Sequence, residues 1–417
     1  MTKQLVRETT LAGAIILGLG SILGTGAYVS VGLSAELVGP NLVIAIIIAA
    51  FTALFNGLSS AQLAAVHPVS GGTYEYGYKF LNPTAGLTAG TLFVLAKSAS
   101  AATAALAVAW YIHGYMSTFA QTPEWLINGI AAALLLIFTV FVLSGVRRTN
   151  WLNALLVTIS VAGLVAFIVA AFAQPSPPLV FTEASLSGYD NNLFYAAALM
   201  FVAFTGYGRI ATMGEEVTNP RHTIPRAIVL TLAVISALYI AVGVAILHVS
   251  GSAIFAQSSF NIANLVENSP WHSVVVIGGG VAMCGVILNL VLGVSRVVLA
   301  MGRRGDLPRS LANLDAEQKS APAATWATFA IMAIIALLGG IETAWTFSAF
   351  TVLVYYSLTN LAALKVPQAQ RFVPKWVSIL GLIACLGLAV FIPLQTIALG
   401  TIIVLCVLVL KRLTSNE

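Results

Sequence analysis

The sequence predicts an all-α polytopic membrane protein with twelve transmembrane helices. Three observations support this prediction: 59% of the 417 residues are hydrophobic, only 8% are charged, and the mean hydropathy is +0.96. Soluble domains carry roughly 25% charged residues, so the composition excludes a soluble globule. A spanning helix needs about 20 apolar residues, and twelve such helices with their connections leave no room for a separate soluble domain.

Apolar runs between polar or Pro/Gly-rich breaks define the individual spans. The predicted spans cover residues 10–35, 41–66, 84–114, 125–145, 150–173, 193–216, 225–249, 272–301, 323–340, 343–364, 376–392 and 394–410. Only Pro393 and its neighbours separate the last two short runs, so eleven spans is the alternative count.

The basic residues predict the orientation, because Lys and Arg resist translocation and collect in cytoplasmic connections. They precede the first span and follow each even-numbered span: Lys3, Arg7, Lys79, Arg147, Arg148, Arg221, Arg226, Arg303, Arg304, Arg309, Lys319, Lys365, Arg371, Lys375, Lys411 and Arg412. This alternation favours twelve spans, with both termini in the cytoplasm of a cell-membrane protein. The pI of 9.1 therefore reflects orientation and gives no support for a nucleic-acid partner.

Two spans have polar, glycine-rich centres. Residues 18–26 of the first span read GLGSILGTG, and residues 201–208 of the sixth read FVAFTGYG. The two centres are about 180 residues apart, as two five-helix repeats of opposite orientation would place them. Interrupted helices at matching positions in two halves indicate a transporter site. The alternative, in which these glycines only allow close helix packing, explains one such span more easily than two.

Four stretches resemble signatures of the amino acid, polyamine and organocation (APC) superfamily. They occur in the order of that family and are Gly20–Gly26, His67–Tyr74, Phe204–Pro220 and Arg296–Pro308. The resemblance implies the LeuT-like (APC) fold, a five-plus-five inverted repeat with broken first and sixth helices. Residues 1–174 would form the first repeat, residues 192–365 the second, and residues 375–412 two additional helices. It also implies alternating access to an amino-acid-like substrate at mid-membrane.

The broken helices provide the expected substrate site. Unpaired N–H groups at a half-helix N-terminus bind anions, so the amides around Gly24, Thr25 and Gly26 are expected to hold a carboxylate. The carbonyls of the sixth helix are expected to receive the substrate ammonium. The full set of expected binding residues is Ser21, Ile22, Gly24, Thr25, Gly26, Lys97, Val202, Ala203, Phe204, Thr205 and Tyr207.

The aromatic residues of the sixth span have two interpretations. Phe204 and Tyr207 are either lids over the substrate or packing residues. Several relatives place a bulky aromatic gate where this chain has Val202, so occlusion would use Phe201 or Phe204 instead.

Lys97 lies about 13 residues into the third span, or roughly 20 Å along a helix axis. Placing a cationic side chain at mid-bilayer costs about 2.5–3.5 kcal/mol, which predicts a polar cavity or a partner around it. A purely structural lysine bonded to helix carbonyls is the alternative. A functional Lys97 would either exchange a proton during the cycle, or stay charged to hold an anionic group or replace a sodium ion.

The remaining residues narrow the choice of coupling ion. Sodium-coupled relatives place Ser or Thr hydroxyls on the eighth helix, whereas residues 274–294 contain Asn289 but no Ser or Thr. Some sodium-independent relatives carry a lysine on the fifth helix, and residues 158–161 have none. Sodium coupling is therefore disfavoured, and Lys97 is the candidate for the cationic or proton-coupling role.

Three residues are assigned to coupling or gating besides Lys97. Asn289 is one; Arg209 is expected to line a watered vestibule or to pair with another helix. Glu216, with Glu215, is expected to close an inner gate with loop arginines. The cysteines and histidines have no metal-ligand spacing, so no metal or cofactor is expected.

The sequence thus predicts a secondary transporter of amino acids. Neutral substrates are favoured because no intramembrane acidic residue is available to bind a cationic side chain; anionic amino acids, and amines or polyamines, are the alternatives. The expected partners are the substrate, protons and the lipid bilayer, while the oligomeric state is open. A channel is the alternative of a different class, and no enzyme motif is present.

Overall fold

The structure is a computed structural model that describes residues 9–69, 71–116, 123–144, 146–177, 191–214, 217–251, 262–315 and 320–414. Within these ranges the regular structure is helical. The exception is an isolated parallel bridge between Thr9 and Val217, where the Thr218 amide also donates to the Thr9 carbonyl at 2.9 Å. This bridge joins the residues before the first helix to those after the sixth span.

The α-helices of the described part are α1 (Leu11–Ile22), α2 (Val31–Val38), α3 (Leu42–Val66), α4 (Thr73–Phe80), α5 (Pro83–Met116), α6 (Glu124–Leu143), α7 (Val146–Phe172), α8 (Asn191–Phe204), α9 (Gly208–Ala211), α10 (Pro220–Ser250), α11 (His272–Arg304), α12 (Pro322–Leu338), α13 (Ile341–Leu364), α14 (Lys375–Ala389) and α15 (Leu394–Thr414). Short 3-10 turns cover Gly39–Asn41, Ile262–Val266, Arg309–Ala312 and Gln368–Gln370.

Nine helical runs among the described residues are long and apolar enough to cross a membrane, and α12 and α14 are shorter apolar helices. The first run, Leu11–Val66, is 56 residues long and covers two of the predicted spans. The all-helical, polytopic fold is therefore confirmed. The count of twelve spans stays a prediction.

Proline and glycine set several helix ends. Pro220 begins α10 after Asn219, whose φ of 49° is left-handed, and proline suits this first position because the missing N–H would have no partner there. Gly305 ends α11 with a φ of 82°, a conformation that glycine adopts without a steric penalty. These ends fix where the connections begin.

Helices α5, α8 and α13 are the most deeply buried of the long apolar helices among the described residues. Helix α5 packs against α11 and α13, while α11 also packs against α7. Helices α6 and α15 lie outside, where Ile137, Leu394 and Leu410 expose more than half of their apolar surface. In a membrane protein these outer apolar faces meet lipid, so the candidate site on α5 and α8 is shielded by surrounding helices.

A polar stripe on α3 attaches the C-terminal region to this core. Asn360 of α13 donates to Asn56 Oδ1 at 2.6 Å, and the Ser59 and Ser378 hydroxyls lie 2.9 Å apart. Asn56 and Ser59 are three residues apart and therefore share one helix face. Helix α14 thus contacts the core through buried hydrogen bonds as well as apolar packing.

A carboxylate joins three separate segments at one end of the molecule. Tyr74 and Tyr78 of α4 each donate to Asp306 Oδ2 at 2.6 Å, and Lys411 Nζ of α15 lies 3.3 Å from Asp306 Oδ1. The Arg304 guanidinium lies 4.1 Å from the centre of the Tyr78 ring. The connection after α3, the end of α11 and the end of α15 therefore lie on the same side.

Candidate functional site

The first predicted interruption is present near the middle of the first predicted span, residues 10–35. Helix α1 ends at Ile22, Leu23 and Gly24 form a turn, and Gly26–Ser30 continue as a π-helix. Gly24 lies directly against α11, because a Cβ at this position would be 2.6 Å from the Ala282 carbonyl oxygen. Only glycine allows this approach, so the turn is held against α11.

The sixth predicted span is also interrupted. Helix α8 ends at Phe204, and Thr205–Tyr207 form a 3-10 turn before α9 begins at Gly208. The Thr205 hydroxyl donates to the Val202 carbonyl oxygen at 2.7 Å. The tighter 3-10 winding removes regular α-helical bonds, and side chains here supply partners for the carbonyls.

The two interruptions touch each other. A Cβ on Gly206 would lie 2.5 Å from the Ser21 carbonyl oxygen and would also collide with the Ile22 side chain. Tyr239 of α10 bridges them, since its hydroxyl is 2.9 Å from the Ile22 carbonyl oxygen and 3.3 Å from that of Ala203. Residues of the first and sixth spans therefore meet at one buried place.

Lys97 of α5 reaches the same place. Only 5% of this residue is exposed, and its Nζ donates to Thr205 Oγ1 at 2.7 Å and to the Thr205 carbonyl oxygen at 3.3 Å. Tyr356 of α13 donates to that carbonyl at 3.2 Å. Across the described ranges, no carboxylate oxygen lies within 4.0 Å of Lys97 Nζ. The expected polar partner of Lys97 is thus the interrupted sixth span.

The other expected binding residues are buried around this contact. The Ser21 hydroxyl donates to the Leu17 carbonyl oxygen at 2.9 Å, and Thr25 is buried at the start of the π-helical turn. Gly26 faces the Tyr239 hydroxyl, and a Cβ on Gly26 would lie 2.9 Å from Ala203 Cβ. The first span therefore presents backbone more than side-chain groups to the sixth.

The two aromatic residues of the sixth span each pack against another ring. Phe204 contacts the Tyr239 ring edge-on, with centroids 5.1 Å apart, and Tyr207 contacts the Tyr356 ring at 5.3 Å. Both residues are fully buried. The structure thus describes their packing contacts, while their role as lids remains a prediction.

Asn289 of α11 forms part of a neighbouring amide pair. Its side chain donates to Asn153 of α7 and, at 2.9 Å, to the Gly285 carbonyl oxygen. Asn153 in turn donates to the Ile16 carbonyl oxygen at 3.3 Å and fills the space beside Gly20. Asn289 therefore acts through Asn153 on the first span and is separate from the Lys97 contact.

Of the remaining two gating candidates, the structure describes Arg209 but not Glu216. Arg209 is buried in α9, where its Nη1 donates to Thr212 Oγ1 at 3.2 Å and its aliphatic stem lies near Gly293 of α11. Glu215 and Glu216 lie outside the described residues.

Sequence reasoning missed Tyr239, Tyr356 and Asn153. A buried tyrosine hydroxyl or asparagine amide needs a hydrogen-bond partner, and that need was the available signal within the apolar spans. Which helix face each occupies depends on packing, so its partner was not readable from the sequence. Glu36 also corrects an expectation, because this half-buried acidic residue lies in α2 within the apolar run Leu11–Val66.

The fold and the meeting of two interrupted helices define a multi-pass membrane transporter. Residues 10–410 match the amino acid permease family, and the chain belongs to that family. The APC resemblance is therefore confirmed, and the chain is grouped with transporters and not with enzymes.

Named relatives support the same class. The chain is 36% identical over 400 residues to an uncharacterized transporter of Mycobacterium tuberculosis, with 95% of this chain and 89% of the relative covered. It is 27% identical to the branched-chain amino acid permease BcaP of Bacillus subtilis, covering 93% and 87%. It is 28% identical to cationic amino acid transporter 4 of Homo sapiens, covering 89% and 61%.

Proposed function

We propose that the chain is a secondary transporter that carries neutral amino acids across the cell membrane by alternating access. The observation that carries this proposal is the contact between the two interrupted spans, where Gly206 lies against Ser21 and Ile22. A substrate held between two such segments contacts both halves of a carrier. Movement of one half relative to the other would then open the site to either side.

The proposed binding mode uses the backbone at both interruptions. The amides around Gly24, Thr25 and Gly26 hold the substrate carboxylate at the positive end of the resumed helix. The carbonyls near Val202 and Ala203 receive its ammonium. Both carbonyls accept hydrogen bonds from side-chain hydroxyls, those of Thr205 and Tyr239, which supports their proposed role as acceptors.

A substrate with a neutral side chain fits the charges near the interruptions. Glu36 is twelve residues beyond Gly24, or about 18 Å along a helix, which is too far to pair with the side chain of a substrate at Gly24. The relatives named as branched-chain amino acid permeases support an aliphatic substrate. Lys97 would repel a cationic one.

The proposed topology has twelve spans in a five-plus-five inverted repeat, formed by residues 1–174 and 192–365, with residues 375–412 added. The cluster of Tyr78, Asp306 and Lys411 supports an even number of spans, because it joins the connections after the second, eighth and twelfth predicted spans. By the positive-inside rule this side is cytoplasmic, so both termini lie there.

Transport is proposed to be independent of sodium and linked to protons or to exchange, with Lys97 in the coupling or binding role. The burial of Lys97 and its bond to the interrupted span support this assignment, because its protonation would change the contact between α5 and Thr205. The lack of Ser and Thr hydroxyls in residues 274–294 of α11 supports sodium independence. Arg209 and Glu216 are proposed as gating residues.

Counterflow in liposomes tests the proposal. Purified protein is reconstituted, loaded with one unlabelled amino acid and supplied with its labelled form at two pH values, with and without sodium. We expect saturable counterflow of neutral aliphatic amino acids that sodium does not change. Single-channel currents without counterflow would indicate a channel, and counterflow restricted to lysine or spermidine would contradict the proposed substrate.

A further inference from the structure

Lys97 lies where an ammonium of the substrate is expected. The interrupted sixth span supplies carbonyl acceptors for a cation, and the Lys97 Nζ already donates to the Thr205 carbonyl and hydroxyl at 3.3 and 2.7 Å. The next residue, Gly206, is packed against Ser21 and Ile22 of the first span. The lysine ammonium is therefore hydrogen-bonded to the residue next to this contact, and the amides of Gly24, Thr25 and Gly26, which would bind the substrate carboxylate, follow Ile22 in the first span.

The described neighbours of Lys97 do not balance its charge. Its two hydrogen-bond acceptors belong to Thr205 and are neutral, and Tyr356 donates to the same carbonyl. Among the residues that the structure covers, no carboxylate is within 4.0 Å of Nζ. Because a buried charge is costly unless it is paired, a ligand carboxylate beside Lys97 would relieve this cost.

A zwitterionic amino acid relieves the cost of the buried Lys97 charge only partly. Its own ammonium would lie beside that of Lys97 at the interrupted sixth span, and the occupied site keeps a net positive charge. A carboxylate without an α-ammonium has neither disadvantage, since its single negative charge balances Lys97. An oxygen on its second carbon can also accept a hydrogen bond from Nζ.

We propose that Lys97 is a tethered equivalent of the substrate ammonium, and that the carrier also accepts aliphatic 2-oxo and 2-hydroxy carboxylates. This inference rests on the proposed function for the position of the carboxylate. The aliphatic preference follows from Ile22, Val202 and Val286, apolar residues that surround the two interruptions.

Matched pairs of substrates test the inference on the unmodified protein. Liposomes are assayed for counterflow of leucine, valine and alanine and of the 2-oxo acid with the same carbon skeleton, with protein-free liposomes to measure passive entry. We expect saturable counterflow of at least one 2-oxo acid. Counterflow of amino acids with no 2-oxo acid counterflow overturns the inference and leaves the proposed function intact. Absence of amino acid counterflow would instead contradict the proposed function.

Variants of Lys97 then test its role. Lys97→Met removes the ammonium, so we expect 2-oxo acid counterflow to fall about tenfold or more, as loss of a charged hydrogen bond predicts. Amino acid counterflow should fall by a smaller factor, because the amino acid brings its own ammonium, so the ratio of 2-oxo acid to amino acid counterflow is the measured quantity. Lys97→Arg, which keeps the positive charge, should lower this ratio less than Lys97→Met does. The control is Lys375→Met, at an exposed position, which should alter neither activity.

An equal fall of both activities in Lys97→Met would contradict the tethered-ammonium role. If this variant does not yield monodisperse protein, the parent decides the question through ligand-induced thermal stabilisation. A rise in melting temperature with 4-methyl-2-oxopentanoate supports the inference, and no rise alongside a leucine response overturns it.

Discussion

Gly206 lies against the backbone of Ser21, so that a single added carbon on Gly206 would be 2.5 Å from the Ser21 carbonyl oxygen. This contact joins the 3-10 turn of the sixth span to the last turn of α1. A carrier that opens at this place must separate or rotate these two backbones. The structure describes the arrangement in which the two backbones are in contact.

Gly206→Ala should reduce amino acid counterflow by about tenfold or more. The new methyl group collides with Ser21 and Ile22, and overpacking in a tight interior costs about 1–3 kcal/mol. That cost falls on the closed arrangement, so the two interruptions would spend less time in contact. The measurement is the initial rate of leucine counterflow per reconstituted protein.

The control for this substitution is Gly129→Ala. Gly129 lies in α6, and a Cβ there would meet no atom within 4 Å. Alanine is the better helix former by up to about 1 kcal/mol, so the control should be at least as stable as the parent. Equal counterflow in Gly206→Ala and Gly129→Ala would contradict the functional importance of the contact.

Tyr239→Phe should both lower stability and slow transport. The hydroxyl bridges Ile22 and Ala203 across the two interruptions, and its loss leaves two buried carbonyls with one fewer donor. Hydrogen bonds between membrane helices contribute about 1 kcal/mol, so the apparent melting temperature should fall by a few degrees. Thermal unfolding in detergent and leucine counterflow measure the two effects.

Tyr195→Phe is the matched control for Tyr239→Phe. The Tyr195 hydroxyl lies 2.9 Å from Thr346 Oγ1 and is outside the contact between the interruptions. It should lose stability without a comparable loss of counterflow. If both variants slow transport equally, the bridge of Tyr239 has no special role.

Lys97→Gln should flatten the pH dependence of transport. Glutamine can still donate to Thr205 but carries no charge and cannot exchange a proton. If Lys97 couples protons, counterflow of the parent varies with pH and that of the variant does not. Rates measured at several pH values in liposomes check this expectation, and an unchanged rate and pH profile would exclude Lys97 from coupling.

Composition and local pattern were sufficient to predict the long apolar helices and both interruptions, but not the short helix α4, which lies between two predicted spans. The glycines near Gly24 and Gly206 are local features, and a polar centre in an apolar run is visible without knowledge of packing. Lys97 was also identifiable, because a lysine far from either end of a span is expensive unless something binds it. These predictions depend on properties of a single segment of the chain and require no knowledge of the helices packed against it.

The partners across helices were not predictable in the same way. Tyr239 and Tyr356 reach the interruptions because of the rotation of α10 and α13 within the bundle. Both helices are apolar on several faces, so the periodicity of the sequence does not determine how each helix is rotated about its axis. The pairing of Asn56 with Asn360 likewise joins residues 304 positions apart.

Asp306→Asn should destabilise the protein with little effect on the substrate site. The carboxylate accepts from Tyr74 and Tyr78 at 2.6 Å and faces Lys411 at 3.3 Å. Replacing this acceptor weakens three contacts, for a loss of about 2 kcal/mol. Thermal unfolding should show a lower melting temperature, while the apparent affinity for leucine should remain within about twofold.

Asp315→Asn is the control, because Asp315 binds Ser320 within its own loop. A larger change in affinity than in stability would contradict a structural role for Asp306.

Acidification should weaken the fold through His67, which follows α3 at the end of the first long run. Partial burial lowers the pKa of His67 below its usual 6.5, and the positive charges of Lys79 and Arg304 lower it further. A histidine with a lowered pKa favours the folded state fully above about pH 6.5. This contribution is lost as the pH falls through the pKa of the folded protein, because the unfolded chain then binds the proton more readily.

The melting temperature of the parent should therefore decrease between pH 7.5 and 5.5, and His67→Gln should reduce the slope of melting temperature against pH. His222→Gln, at an exposed position in α10, should not. Equal slopes in the parent and His67→Gln would show that His67 does not contribute to the pH dependence.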